Sequence, residues 1–358
     1  YLLKIYHMKL INYLLIALIF VSSCKEDSIA PSFAKNYGEG MYIATENGVS
    51  FYDGDVVENQ IYKTVNGNTL TRVKKIKFQG TKAYIIANNQ VVTANVETFE
   101  SKGEVSGFMN LVDLDFISDD RLLTVDNGNS KVNVLDIDKM EITSGIETGD
   151  STRPVFIVSN SFKSFIMNGG GGSEQIKDST VVIIEYRDGA VALANFIGNL
   201  FVGDNPNSAV FSSNGGLKVL CQGIYDSINS MNNTESSFSD INQYSNEVYS
   251  TNILTGIYNA QNLISNWNNS AYYLTAEGGV YGLSPISLND NLIVSVNTSV
   301  INTSIESLAV NDSTTVSYEM LYMNDIDSPN SIYKYNLDLS LFIDTIVVDA
   351  PVNDIAFY

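Results

Sequence analysis

From residue 37 onward, short apolar runs alternate with Gly, Asn and Asp. Residues 41–45, 49–52, 83–87, 91–96, 121–125, 132–137 and 181–186 are all of strand length and rich in Val, Ile, Tyr and Phe. Such residues suit a pleated, half-buried surface, and the polar dipeptides between them suit tight turns. No stretch combines helical spacing with helix caps. The pattern predicts an all-β protein.

The strands also repeat. A five-residue pattern recurs at 74–78, 112–116, 154–158, 207–211, 264–268, 306–310 and 353–357, spaced between 38 and 57 residues apart. A period near forty residues with about four strands per unit is the signature of propeller blades. The two longest intervals place insertions at 169–178 and 222–247. The final copy, 353–357, has no blade after it, and the strands at 41–45 and 49–52 have no inner strand before them. Joining these ends closes a ring of seven blades, whereas an open ring leaves apolar surface wet. The competing arrangement is a β-sandwich with an additional domain.

The clearest repeat starts at Leu111. Its segment Arg121-Leu122-Leu123-Thr124-Val125-Asp126-Asn127-Gly128-Asn129, followed by Val132-Asn133-Val134-Leu135-Asp136, resembles the YVTN, or YncE-like, propeller repeat. Gly149, Arg153 and Pro154 fit the end of that repeat. The other repeats match it less closely. The resemblance implies a seven-bladed β-propeller over residues 37–358.

The chain before residue 37 has a different character. After Met8 and Lys9, residues 10–20 are apolar except for Asn12, and Val21-Ser22-Ser23-Cys24 follows. A positive start, a short apolar stretch and small residues make an export signal, too short to span a bilayer. Residues 1–7, which precede Met8, are expected to be an overhang of the gene model. Ending the small residues on Cys resembles the lipobox of bacterial lipoproteins. That resemblance implies a signal peptide at 1–23, cleavage before Cys24, and acylation of Cys24 by palmitate-type chains. Each buried methylene of such a chain is worth about 0.8 kcal/mol of membrane affinity. Residues 24–36 then form a flexible tether. Lys25-Glu26-Asp27 resembles the acidic cue for surface export in Bacteroidetes lipoproteins. The expected location is the bacterial outer membrane, facing either the periplasm or the outside.

Charge and composition narrow the chemistry. The chain holds 20 basic and 40 acidic residues and one histidine. Losing residues 1–23 removes Lys4, Lys9 and His7 but no acid, which leaves a net charge of −22. Phosphate backbones need clustered Lys and Arg, so nucleic acid is a poor partner. With His7 gone, the triad chemistry of serine and cysteine hydrolases and His-ligated zinc have no histidine to use. Cys221 sits in an apolar strand context and reads as a buried structural thiol, with no partner for an intrachain disulfide. Gly169–Gly172 lacks the Lys and Ser/Thr of a phosphate loop. The clusters at 126–129 and 324–330 offer oxygen ligands for calcium, but turn chemistry accounts for them and no cofactor is expected.

The second position of the repeated strand lies near the channel mouth of a propeller. It holds Lys75, Asp113, Val155, Ser208, Ser265, Ser307 and Asp354. Polar residues at six of these seven positions suggest a wet funnel that recognises a ligand. Trp267, the one tryptophan, lies two residues beyond Ser265 and is a candidate ligand platform. The sequence thus favours a lipid-anchored binding module with a monomeric body. Membrane lipid is its partner through Cys24, and an outer-membrane uptake transporter or a surface protein or glycan is a further one. The alternatives are a propeller-class lyase or hydrolase using carboxylate and Tyr chemistry, and a purely structural or adhesion protein of the envelope.

Overall fold

The computed structural model describes residues 36–149, 153–169, 177–186, 195–224, 226, 228–266, 268–283, 290–311 and 314–358. The stretches expected to be a signal peptide (1–23) and, for all but residue 36, a tether (24–36), with Cys24, most of the expected 169–178 insertion and Trp267, lie outside the described residues. Residues Tyr37–Tyr358 form one compact unit.

Among the described residues, twenty-eight strands make seven antiparallel sheets of four. Neighbouring inner strands contact one another around a complete ring, so the sheets are the blades of a propeller. Blade 1 is built from both ends of the chain. Its inner strand is Val352–Phe357, which pairs with Met41–Thr45; Gly48–Tyr52 and Val57–Glu58 follow. In that closure Met41 faces Phe357, Tyr42 faces Ala356 and Ile43 faces Ile355. Gly40 and Tyr358 extend it by exchanging backbone hydrogen bonds of 3.3 and 3.1 Å. The ring of seven read from the sequence and its closure by the last strand are both present.

Blades 2 to 7 each run in sequence from an inner to an outer strand. Their inner strands are Val73–Gln79, Leu111–Ser118, Pro154–Ser159, Pro206–Phe211, Gln261–Ser265 and Ile301–Asn311. The core is divided among the junctions. Seven clusters of buried apolar side chains each join two adjacent blades, as Tyr42, Phe51 and Phe99 join blades 1 and 2. Blades therefore stabilise one another face to face, and none buries its apolar faces alone.

Two features depart from the sequence pattern. Residues 222–247 are not all insertion, because Ser237–Asn242 is the third strand of blade 5. Its alternation of small polar and apolar residues conceals it. Residues Ile61–Asn66 form a short α-helix that buries Ile61 and Tyr62. Gly67 ends it in the left-handed conformation and donates to the Lys63 carbonyl at 2.8 Å. Six residues are too few to produce a helical period in the sequence. Cys221 is fully buried in the core between blades 4 and 5, and burial pushes its thiol up to about 12.

Candidate ligand site in the central channel

A β-bulge near the start of most inner strands leaves one residue unpaired. Bulges re-aim side chains, and here several bulged residues reach the next blade. The Lys74 ammonium donates to the Leu111 carbonyl at 2.8 Å, Asn207 to Ala260 at 2.7 Å and Asn353 to Val73 at 2.9 Å. The residue after the bulge works in the opposite sense. Asp113 accepts from the Ile157 amide at 3.0 Å, Ser208 from Leu263 at 2.9 Å and Asp354 from Ile76 at 3.0 Å. The polar residues of the repeated strand therefore satisfy backbone groups of the neighbouring blade, which strand ladders do not reach.

The inner strands of all seven blades enclose a cavity of about 710 Å³. Lys75, Ser208, Ser265 and Asp354 line it, with Lys77, Asp115, Asn262, Asn302 and the rings of Phe116 and Phe156. Asp113 lies just behind this wall. Its side chain has 0% exposure, and it holds the Lys75 ammonium, itself 23% exposed, at 3.0 Å. Lys77 bridges Asp113 at 3.6 Å and Asp115 at 3.4 Å. Asp115 also accepts from the Ser159 amide at 2.6 Å. The Lys75 ammonium stands 4.9 Å from the centre of the Phe156 ring, within cation–π range.

These groups set one another's charge. Burial alone raises the Asp113 carboxyl, but Lys75 and Lys77 outweigh it and hold Asp113 below the usual carboxylate range. Burial likewise lowers Lys77, and Asp113 and Asp115 reverse that and hold its ammonium above the ordinary value. Asp354 behaves differently. Burial pushes it up to about 6, and Lys75 only partly offsets this. The residue as a whole is half-buried at the cavity wall. One carboxylate of the channel is thus raised to about 6 while another is held below its ordinary value.

The structure sorts the sequence candidates. Lys75, Asp113, Ser208 and Asp354 occupy equivalent places on their inner strands. Val155 is one place early, because Phe156 follows the bulge. Ser265 lines the cavity near the end of its strand, while Asn262 sits closer to the equivalent place. Ser307 is not among the lining residues. It lies far along an eleven-residue strand, exposed, with its hydroxyl 3.0 Å from that of Ser317. The oxygen-rich turns use their leading side chains on backbone amides: Asp126 on Met109, Asn110 and Gly128, and Asn324 on Ser299 and Val300.

Lys77 and Asp115 escaped the sequence reading. The signal was present. Aligning Lys-x-Lys of one repeat with Asp-x-Asp of the next puts opposite charges at two matching positions on adjacent inner strands.

No family model matches the chain, and no curated protein matches it in sequence. Solved structures do resemble it in fold. A protein of unknown function from Desulfotomaculum acetoxidans is 13% identical with a TM-score of 0.62, over 89% of this chain and 98% of that one. A putative 6-phosphogluconolactonase from Bacteroides uniformis is 15% identical with a TM-score of 0.59, over 89% and 99%. BamB from Moraxella catarrhalis is 11% identical with a TM-score of 0.52, over 89% and 88%. At these identities the likeness establishes the β-propeller architecture alone.

Proposed function

We propose that this protein is a lipid-anchored binding protein of the bacterial envelope. Its central channel takes a small polar solute bearing an acidic group, and it serves as a capture module beside an outer-membrane uptake channel. The observation that carries this reading is the Lys75 ammonium, partly exposed at the wall of the cavity between Asp113 and the Phe156 ring. An ammonium has three donors, and Asp113 takes one. The others are available to a carboxylate in a site whose charged walls are already fixed by backbone bonds. Asn262, Ser265 and Asn302 supply neutral polar contacts across the channel. A volume of about 710 Å³ lies within the ordinary range for small-molecule sites.

Two measurements test the proposal. Single carboxylate metabolites, among them citrate, succinate, glutamate and gluconate, are added to the full chain in detergent and melting is followed. A bound ligand at a hundredfold its dissociation constant stabilises by about 2.7 kcal/mol. At least one should raise the melting temperature, and Lys75→Met should abolish that rise. A flat response throughout, or one that survives Lys75→Met, removes the channel site. The anchor is read separately by detergent phase partitioning of whole cells. The native chain should enter the detergent phase and Cys24→Ala the aqueous phase; equal partitioning of the two overturns acylation at Cys24.

A further inference from the structure

The repeat itself supplies a comparison that exposes a second site. In four blades the turn between the third and fourth strands follows one plan. Asn95, Asp136, Asn242 and Asn336 open it by accepting from backbone amides two or three residues on. Phe99, Met140, Asn246 and Ser340 end it with positive φ. The residue after the opening one is apolar in three of the four, as Val96, Ile137 and Leu337, and the next is acidic, as Glu97, Asp138 and Asp338. Blade 5 replaces these with Gln243 and Tyr244.

A second departure lies beside the first. Each of six blades has a bulge in its fourth strand. The unpaired residue there is Lys102, Thr143, Ile197, Ile293 or Ile343 in five of them and Tyr249 in blade 5. Both tyrosines line one cleft of about 310 Å³, with Asn214, Lys218, Asn242 and Ser250. Tyr244 is 78% exposed and Tyr249 69%.

Each ring has a local support. The Asn242 amide donates to the Tyr249 hydroxyl, which keeps its own proton free to donate. The Tyr244 ring lies over Gly215, where a Cβ would stand 3.3 Å from Cε2 and from the hydroxyl. Gln243 fixes the shelf beneath by donating to the Gly215 carbonyl at 2.6 Å and accepting from Asn160 of blade 4. Lys163 adds bonds to the Gln243 carbonyl and to Asn246, at 3.0 and 2.8 Å.

From these placements we infer that the blade 5 cleft is a binding site for an uncharged saccharide. A sugar ring presents C–H groups on its faces and hydroxyls at its edge. Two aromatic rings lining one cleft match the first, and the side-chain amides of Asn214 and Asn242 match the second. The floor is neutral, because Lys218 is ion-paired with Asp240 and Ser250 donates to the same carboxylate. An anionic ligand finds no unpaired cation among the cleft residues, and an aliphatic one finds only Ile241, which is buried.

The test is native affinity electrophoresis of the full chain through gels containing laminarin, xylan, galactomannan, pullulan or amylopectin, followed by calorimetry with the hexasaccharide of whichever retards it. Tyr244→Ala and Tyr249→Ala should each weaken binding roughly tenfold, a loss near 1.4 kcal/mol. Tyr249→Phe should cost less, since the ring face remains. Both alanine variants should melt as the native chain does. Lys75→Met should bind the saccharide normally, which separates this cleft from the channel. The inference is overturned if no polysaccharide of the panel retards the native chain. It is equally overturned if retardation persists in the Tyr244→Ala/Tyr249→Ala double variant.

Discussion

A chain lacking residues 349–358 is expected to lose its cooperative melting transition and to collect in the insoluble fraction. The deleted segment contains the whole inner strand of blade 1. Ile355 belongs to the core between blades 7 and 1 with Met41, Ile43, Met320 and Tyr322, and Ala356 to that between blades 1 and 2. The Phe357 ring lies 5.1 Å from Tyr322 and the Tyr358 ring 5.2 Å from Phe78. Burying Ile355 alone contributes about 1.5–3 kcal/mol. Deletion also uncovers apolar side chains on two neighbouring blades and frees the inner edge of Met41–Thr45. Losses spread over two blade junctions weigh heavily against the roughly 5–15 kcal/mol by which a domain is stable. A circular permutant is the control. Joining residue 358 to residue 37 with a short Gly-Ser linker and opening the chain at the exposed turn around Gly107 keeps every strand. It should melt within a few degrees of the native protein. A truncated chain that melts cooperatively near the native temperature would refute closure by the last strand.

The ring was legible because the period of the inner strand and the incompleteness of both end blades are local facts of sequence. Register was harder. At Lys75, Asp113, Ser208 and Asp354 the five-residue pattern fell on the correct place because each strand carries its bulge at its second residue. It failed at Ser307, where the hairpin of Ile301–Asn311 and Thr314–Asn324 is far longer than its counterparts, so the pattern matched its distal half. Pairing between blades was not legible residue by residue. The bond from Asp113 to Ile157 joins residues 44 positions apart, and that from Asp354 to Ile76 joins residues 278 apart. Such partners appear only when the repeats are laid side by side, which is also how Lys77, Asp115 and the tyrosines of blade 5 emerge.

Asp113→Ala should destabilise the protein by about 3–5 kcal/mol, far above the typical cost of about 1 kcal/mol for a point substitution. It strips Lys75 of its carboxylate, leaves Lys77 with Asp115 alone, and orphans the Ile157 amide in a buried position. Asp113→Asn should cost less, because its amide oxygen still accepts from Ile157. The pH profiles then separate the two channel carboxylates. The folded-state value of Asp113 is depressed, so its contribution is full above the unfolded value of about 4 and is lost as pH falls through the folded one. Asp354 is raised to about 6, so the folded chain favours its proton and stability declines as pH climbs from about 4 through 6. Asp354→Asn should therefore stabilise by about 1–2 kcal/mol at pH 8, a figure discounted because the residue is only half-buried at the cavity wall. The gain should vanish near pH 4. Denaturant midpoints of the native chain and the three variants at pH 4, 6 and 8 measure all of this. The charge assignment fails if Asp113→Asn and Asp354→Asn move stability in the same direction at pH 8, because only an ionised Asp113 matched to two ammonium groups and an Asp354 burdened by burial require opposite signs.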